Sequence, residues 1–302
     1  MSVATSSQTG LVVATHGRHC LVETEGGERL ICHPRGKKSQ AVVGDRVAWR
    51  ASGDEGLIEA VLPRRNLLYR QDEIRTKSFA ANLDQVLVLL AAEPEFSEGQ
   101  LMRALIASHA ASIPVVVVLN KRDLQPLFDR AWQRLAPYCA MGQVVLPLSL
   151  TADDGSLTAL QAQLLGRTTL VMGPSGAGKS TLVNRLIPHA QAQTGEISRA
   201  LNSGRHTTTS TTWYWLDDAH QTALIDSPGF QEFGLYHLEA AELAQRLPDF
   251  APYLGQCRFY NCSHLHEPGC AVRAAVETGH ISAQRYRLYG ELHAELSQAR
   301  RY

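Results

Sequence analysis

The chain has little of several things, and each shortage closes off a class of protein. It has no excess of charge: 29 Lys and Arg stand against 29 Asp and Glu, so only local basic clusters, not the whole-chain field, can recruit nucleic acid. It has no long hydrophobic run. Val86 to Ala92 and Ile113 to Leu119, its longest, fall far short of the ~20 residues that a membrane-spanning helix needs, and they suit buried strands of a parallel sheet. The start, MSVATSSQTG, is polar and lacks a basic segment followed by an apolar one, so no secretion signal is expected. Cysteine is scarce and unevenly placed: Cys20, Cys32 and Cys139 are scattered, whereas Cys257, Cys262 and Cys270 crowd beside histidines. That is not a secreted disulfide framework and fits a reducing compartment. Repeats and low-complexity segments are missing as well. What is left is the expectation of a soluble cytoplasmic protein, with no membrane partner and with room in its 302 residues for two or three domains.

Up to about Lys77, short strand-like segments (GLVVAT, HCLVET, ERLICHP, DRVAWR, GLIEAVL) alternate with Gly-rich turns, which predicts a small OB-fold barrel. Arg35, Lys37 and Lys38 share one turn, and Arg64, Arg65, Arg70, Arg75 and Lys77 mark the exit. Solvated loops and a linker account for them, and so does an RNA-binding surface that contacts phosphates. From Asn82 the rhythm becomes strand–helix–strand: DQVLVLLAA, GQLMRALIASHAAS, IPVVVVLN, a helix around Phe128 to Tyr138, VVLPLSL, SLTALQAQLLG and TTLVMG. Such alternation predicts a doubly wound, mostly parallel sheet. The helix STLVNRLI, a Thr-rich span and the strands TTWYWLD and TALIDSPG follow. From about Phe233 the pattern is helical. The last stretch, AQRYRLYGELHAELSQARR, reads either as a core-packed helix or as an RNA contact.

Gly173, Pro174, Ser175, Gly176, Ala177, Gly178, Lys179 and Ser180 match G-x-x-x-x-G-K-[ST] after an apolar strand and at the start of a helix, with Thr181 next. In such a loop backbone N–H groups surround phosphate oxygens at the positive end of a helix; Lys179 reaches the β- and γ-phosphates and Ser180 holds Mg²⁺. Asn120, Lys121, Arg122 and Asp123 form N-K-x-D at the end of another apolar strand. A carboxylate there accepts from N1–H and N2–H₂ of guanine, a pairing that adenine does not offer. PLSL, Pro147 to Leu150, falls where a second base-contacting loop belongs. Asp226 and Gly229 of D-S-P-G are expected to hold Mg²⁺ through water and to donate a backbone N–H to the γ-phosphate. Thr207, Thr208 and Thr209 of GRHTTT lie where a switch supplies one Mg²⁺-binding threonine, with Thr208 the candidate.

N-K-x-D precedes the phosphate loop by about fifty residues. The order is therefore base, base, phosphate loop, switch, switch, which describes a circularly permuted GTPase. Permutation is tolerated because domain termini lie close together at the surface. Phe230 follows D-S-P-G where many GTPases carry a water-orienting Gln, so slow intrinsic turnover is expected, with His206 the candidate replacement. An rRNA-binding scaffold whose nucleotide is structural and rarely hydrolysed is the alternative. Cys257, Cys262, His264 and Cys270, in C-x₄-C-x-H-x₅-C, suit one closed structural Zn²⁺ site, with His266 open as a substitute for His264.

N-K-R-D ahead of GPSGAGKST, then TGEIS, GRHTTT, DSPGF and CRFYNCSHLHEPGCAV, resembles the RsgA (YjeQ) family of small ribosomal subunit biogenesis GTPases over nearly the whole chain from about residue 80, and more loosely before it. The switch departs slightly, reading LNSGRHTTT where LGRGRHTTT is more usual, and the longer basic N-terminal tail of some relatives is not expected here. The resemblance implies three parts: an OB-fold barrel (1–77), a permuted GTPase domain (78–234) and a helical zinc domain (235–302). It implies a GTP-hydrolysing factor, using Mg²⁺ with GTP, that binds the 30S subunit and its 16S rRNA late in assembly and is stimulated by it. A monomer is expected.

Overall fold

A computed structural model describes residues 7–16, 19–36, 41–187, 211–228 and 233–298. Five strands open it: β1 (Gln8–His16), β2 (His19–Thr24), β3 (Arg29–Pro34), β4 (Arg46–Ser52) and β5 (Glu55–Val61). They pair in the circuit β1–β2–β3–β5–β4–β1, with only β3–β5 parallel, so the sheet closes on itself as an OB-type barrel. Alternate residues point inward and make its core: Val12, Cys20, Val22, Cys32, Val47, Trp49 and Ile58.

The Arg-rich exit is not plain linker. It forms a hairpin of β6 (Leu67–Gln71) and β7 (Thr76–Ala81), and residues 77 and 78 lie within β7. Leu68, Phe79, Ala80 and Ala81 are buried beneath it. Apolar burial on one side thus outweighs the charges that mark the segment as solvated.

A parallel sheet follows in the order β10–β9–β8–β11–β13, built of β8 (Gln85–Ala91), β9 (Val115–Asn120), β10 (Val144–Pro147), β11 (Thr168–Met172) and β13 (Ala223–Asp226). The helices α1 (Glu98–Ala110), α2 (Gln125–Ala140), α3 (Ser156–Leu164) and α4 (Lys179–Leu186) connect the strands. Both faces are covered, as the continuous apolar runs anticipate. Val86, Val88 and Leu90 face one core with Leu101, Leu105 and Leu135, while Leu87, Leu89 and Val118 face another with Leu160 and Leu182.

β12 (Thr212–Trp215) pairs antiparallel with β13 and meets β1 at Ala14–Thr212, so the barrel and the parallel sheet form one 11-stranded sheet. Trp215 Nε1 also donates to Glu23 of the barrel at 2.8 Å. After β13 the chain forms 3₁₀ turns at Ala240–Arg246 and Ala251–Tyr253, then α5 (Ala271–Glu277) and α6 (Ala283–Gln298). The buried positions of α6 (Arg285, Leu288, Tyr289, Leu292, Leu296) recur every three or four residues and pack into the same core as α1 and α2. Arg285 is buried and forms a two-bond ion pair with Asp249 at 2.7 and 2.8 Å. Among the described residues no helix is long and apolar enough to cross a membrane.

Candidate nucleotide site and metal centre

Three parallel strands aim their C-terminal ends at one place. β11 leads into Gly173, β9 ends at Asn120, and β13 ends at Asp226 in register with Val171. That is the edge where ligands bind in open α/β sheets. The phosphate loop runs from Gly173 through Gly178 into α4. Asn120, 3% exposed, donates its Nδ2 proton to the Ala177 carbonyl at 3.0 Å, so N-K-R-D and the phosphate loop touch although fifty-seven positions separate these residues. Gly178 is required at this contact. Its φ is +103°, and a Cβ there would come within 2.5 Å of Asn120 Nδ2.

The base-side residues are held by the strand ends. Arg122 N donates to Leu148 O at 3.1 Å, and Leu148 N donates to Leu119 O at 2.8 Å, tying PLSL to N-K-R-D. Ser149 Oγ donates to Asp123 Oδ1 at 3.0 Å and accepts from Ala152 N at 3.1 Å, which fixes the Asp123 carboxylate in direction. Arg122 pairs with Asp154 at 3.3 Å, and Lys121 sits at φ +66°. Asn120 Oδ1 is buried without a partner among the described residues.

On the phosphate side, the Lys179 ammonium donates to the carbonyls of Gly173 and Pro174, both at 2.8 Å. Burial lowers its pKa, against the pull of Asp226. Asp226 is buried; desolvation pushes its pKa up to about 6, against the opposing effect of Lys179. A carboxylate so short of compensation is a site where a cation is favourable, and the exposed Ser180 and Thr181 open α4. These donors fit Mg²⁺ bound with nucleotide. Ser175 and Gly176 are exposed, and Pro94, from the loop after β8, comes within 3.1 Å of where a Gly176 Cβ would stand. Gly229, Phe230, His206 and Thr207 to Thr209 lie outside the described residues.

The sulfur and nitrogen donors of Cys257, Cys262, His264 and Cys270 all lie within 4.8 Å of one another. Cys257 Sγ is 3.4 Å from His264 Nδ1 and 3.9 Å from Cys270 Sγ, and Cys270 Sγ is 3.5 Å from His264 Nδ1. A tetrahedral Zn²⁺ with these ligands requires edges of about 3.6–3.8 Å, so the set fits. Burial, with the neighbouring thiols, pushes Cys262 up to about 12, so donors packed this closely hold thiolates only around a cation. His264, not His266, brings its ring nitrogen to the thiols; His266 is exposed. The metal loop is pinned from α6, where Tyr286 Oη donates to His264 O at 2.8 Å and Tyr289 Oη to Ser263 O at 2.6 Å.

Several of these contacts escape a sequence reading. Ser149 lies in the PLSL stretch expected to contact the base, but its bond to Asp123 is not written there; Pro94, Tyr286 and Tyr289 carry no motif of their own. The only hint is their spacing after a strand end, or the aromatic residues on one face of the last helix.

The strand order, with N-K-x-D on β9 ahead of a phosphate loop on β11, defines a GTP-hydrolysing enzyme of the circularly permuted class, preceded by an OB-type barrel and followed by a Cys₃His cluster. A family profile described as RsgA GTPase matches residues 61–236, and the chain belongs to that family. It is 67% identical over 296 residues to the small ribosomal subunit biogenesis GTPase RsgA of Variovorax paradoxus, covering 96% of this chain and 93% of that protein. It is 56% identical over 292 residues to the RsgA of Burkholderia pseudomallei (strain 1710b), covering 96% and 92%. Among solved structures it resembles YjeQ from Thermotoga maritima (TM-score 0.73, 30% identity, 96% of this chain and 99% of that one). It also resembles YloQ, described as a circularly permuted GTPase (TM-score 0.71, 27% identity, 99% and 98%).

Proposed function

We propose that this GTPase is a cytoplasmic, monomeric ribosome biogenesis factor that binds the 30S subunit and its 16S rRNA during late maturation. In this reading the small subunit stimulates turnover, and hydrolysis drives release. The observation that carries the enzymatic part is the Asn120–Ala177 contact, which joins base-reading and phosphate-binding segments into one guanine nucleotide site. The ribosomal part rests on the names that the relatives carry.

Asp123, oriented by Ser149, reads the guanine edge; Asn120 braces the phosphate loop; Lys121 packs along the base; and Arg122 closes the corner through Asp154. Gly173 to Thr181 wrap the phosphates. To engage them Lys179 exchanges the Gly173 and Pro174 carbonyls for phosphate oxygens, a swap of one set of acceptors for a charged one. Ser180 and a switch threonine, Thr208, would hold Mg²⁺ with GTP, with Asp226 in support through water, and Gly229 would donate to the γ-phosphate; when bound, the cation would supply neutralisation of charge on the phosphates. His206 orients water once the subunit positions it, since Phe230 cannot. The barrel (1–77) and the cysteine-rich region (235–302, with one structural Zn²⁺) contact rRNA on either side of the GTPase part (78–234).

The test is GTP turnover by the purified protein, alone and with stoichiometric 30S subunits, with 50S as control. The expected result is a rise with 30S only, within the roughly 10³–10⁵-fold range that partner activation of GTPases reaches. Tight 30S binding with no rise would favour the scaffold reading; equal acceleration by 50S would sink the small-subunit assignment.

A further inference from the structure

Between the metal-ligating Cys257 and Cys262 the chain reads Arg258, Phe259, Tyr260 and Asn261, and every one of these side chains is exposed. Tyr260 is 102% exposed and Phe259 40%. A fully exposed aromatic ring contributes nothing to a core, so on this loop it is free to meet a partner. The loop is short and held at both ends by residues of the Cys₃His cluster, and its backbone is tied inward by Arg258 N donating to Gly269 O at 3.0 Å. Gly269, at φ +71°, lies beneath the Arg258 stem, where a Cβ would stand 3.1 Å from Arg258 Cβ. The Arg258 guanidinium sits 5.5 Å from the Phe259 ring centroid. The ring of Tyr260 is therefore presented on a braced loop, with Phe259 carrying the Arg258 cation before it in sequence and the carboxamide of Asn261 after it.

The charges around it favour an anionic partner. No acidic residue occurs from Arg258 to His266. The first, Glu267, spends its carboxylate on the backbone N–H groups of Ser263 at 2.8 Å and His266 at 3.1 Å. Arg273, whose guanidinium donates to Glu267 O at 3.4 Å, adds a second cation to the neighbourhood. A protein partner that buries apolar surface needs a contiguous patch, whereas here Arg258, Asn261 and Ser263 border two rings. One ring face next to a cation and an amide is what an unstacked nucleotide requires: a surface for the base, a charge for the phosphate, and donors and acceptors for the base edge.

We infer that Tyr260 is a stacking platform for an unpaired base of RNA, with Phe259 and Arg258 supporting it and Asn261 facing the base edge. The partner is the ribosomal RNA of the proposed function, on which this inference rests. The metal cluster acts through stiffness, because a platform fixed before binding loses little conformational freedom when the base arrives.

The test measures binding of full-length protein, GTP analogue bound, to purified 30S subunits at fixed salt, with wild type beside Tyr260→Ala, Tyr260→Phe and Tyr260→Trp. Stacking predicts about 10-fold weaker binding for Tyr260→Ala and near wild-type binding for Tyr260→Phe and Tyr260→Trp. Zinc content and subunit-free GTP turnover should stay unchanged in all of them. Tyr260→Ala binding as tightly as wild type overturns the inference while the 30S reading stands. Failure of the wild type itself to bind 30S overturns both. In a second arm, Tyr260→p-benzoylphenylalanine is photo-crosslinked on the subunit. Linkage to rRNA supports the inference, and linkage to a ribosomal protein overturns it in favour of a protein contact.

Discussion

In the proposed function, one side chain, Asp123, sets nucleotide choice. Its carboxylate has two acceptor oxygens, and Ser149 Oγ occupies part of that capacity at 3.0 Å, leaving the group aimed but not exhausted. Replacing it by Asn turns an acceptor into a donor and leaves guanine N1–H and N2–H₂ without their partner. Asp123→Asn is expected to weaken GTP binding roughly 10- to 100-fold and to let xanthine nucleotides compete, as read by competition with a fluorescent guanine nucleotide. Ser149→Ala removes only the brace and is expected to weaken GTP binding roughly fivefold without changing base preference. A mutant at Asp123 that still selects guanine would remove this residue from the base-reading role.

The element that follows DSPG carries a histidine whose burial makes stability depend on pH. Residues 233–237 run beside β6, where Gln71 and Leu235 bridge in parallel, with Gln71 N donating to Gly234 O at 3.1 Å and Tyr236 N donating to Gln71 O at 3.0 Å. His237 ends this run. Its ring packs 4.4 Å from that of Tyr69, and its Nδ1 is buried without a partner among the described residues. Burial holds its pKa below the ordinary histidine value. The folded state thus keeps His237 neutral, whereas the unfolded chain takes up a proton near pH 6.5. Above that pH both states are neutral and the group contributes no slope. As pH falls through about 6.5 the unfolded state binds more protons, so stability declines. Urea midpoints from pH 7.5 to 5.5 should fall in the wild type and fall less steeply in His237→Phe; parallel curves would show that this histidine carries none of the dependence.

At the scale of the whole molecule, three parts are joined in two different ways. The barrel continues the GTPase sheet through β1 and β12, with Trp215–Glu23 as a side-chain tie across the junction. β12 begins at Thr212, three positions after Thr209 in the sequence, and is itself anchored to the barrel. The C-terminal part is joined through its core: α6 shares apolar packing with α1 and α2, and Arg285, ion-paired to Asp249, lies 4.8 Å over the Tyr138 ring of α2. The Cys₃His cluster is held to α6 by Tyr286 and Tyr289. Chelation is therefore expected to release one metal ion per chain and to raise amide exchange first around residues 257–270 and the adjoining face of α6. Protection in β1 to β5 should be preserved. Metal analysis with hydrogen exchange checks this; simultaneous loss of protection in the barrel would mean that the cluster stabilises the chain globally.

What the sequence determined by itself was whatever a contiguous stretch can encode. The phosphate loop, N-K-R-D and the Cys/His spacing are local patterns, and unbroken apolar runs such as Val115 to Leu119 announce a strand covered on both faces, so the permuted order and the three-part architecture were legible at once. The barrel strands were legible for the same reason, through alternation and Gly-rich turns. The hairpin of β6 and β7 was not, because its charged residues conceal a buried row, Leu68, Phe79 and Ala81, that only packing reveals. Tertiary structure alone decided that Ser149 orients Asp123, that His264 rather than His266 joins the thiols, and that Trp215 reaches Glu23 in the barrel. In each case the partners are brought together by strand register or loop closure, and the chemistry of a single residue does not record which distant neighbour the fold will place beside it.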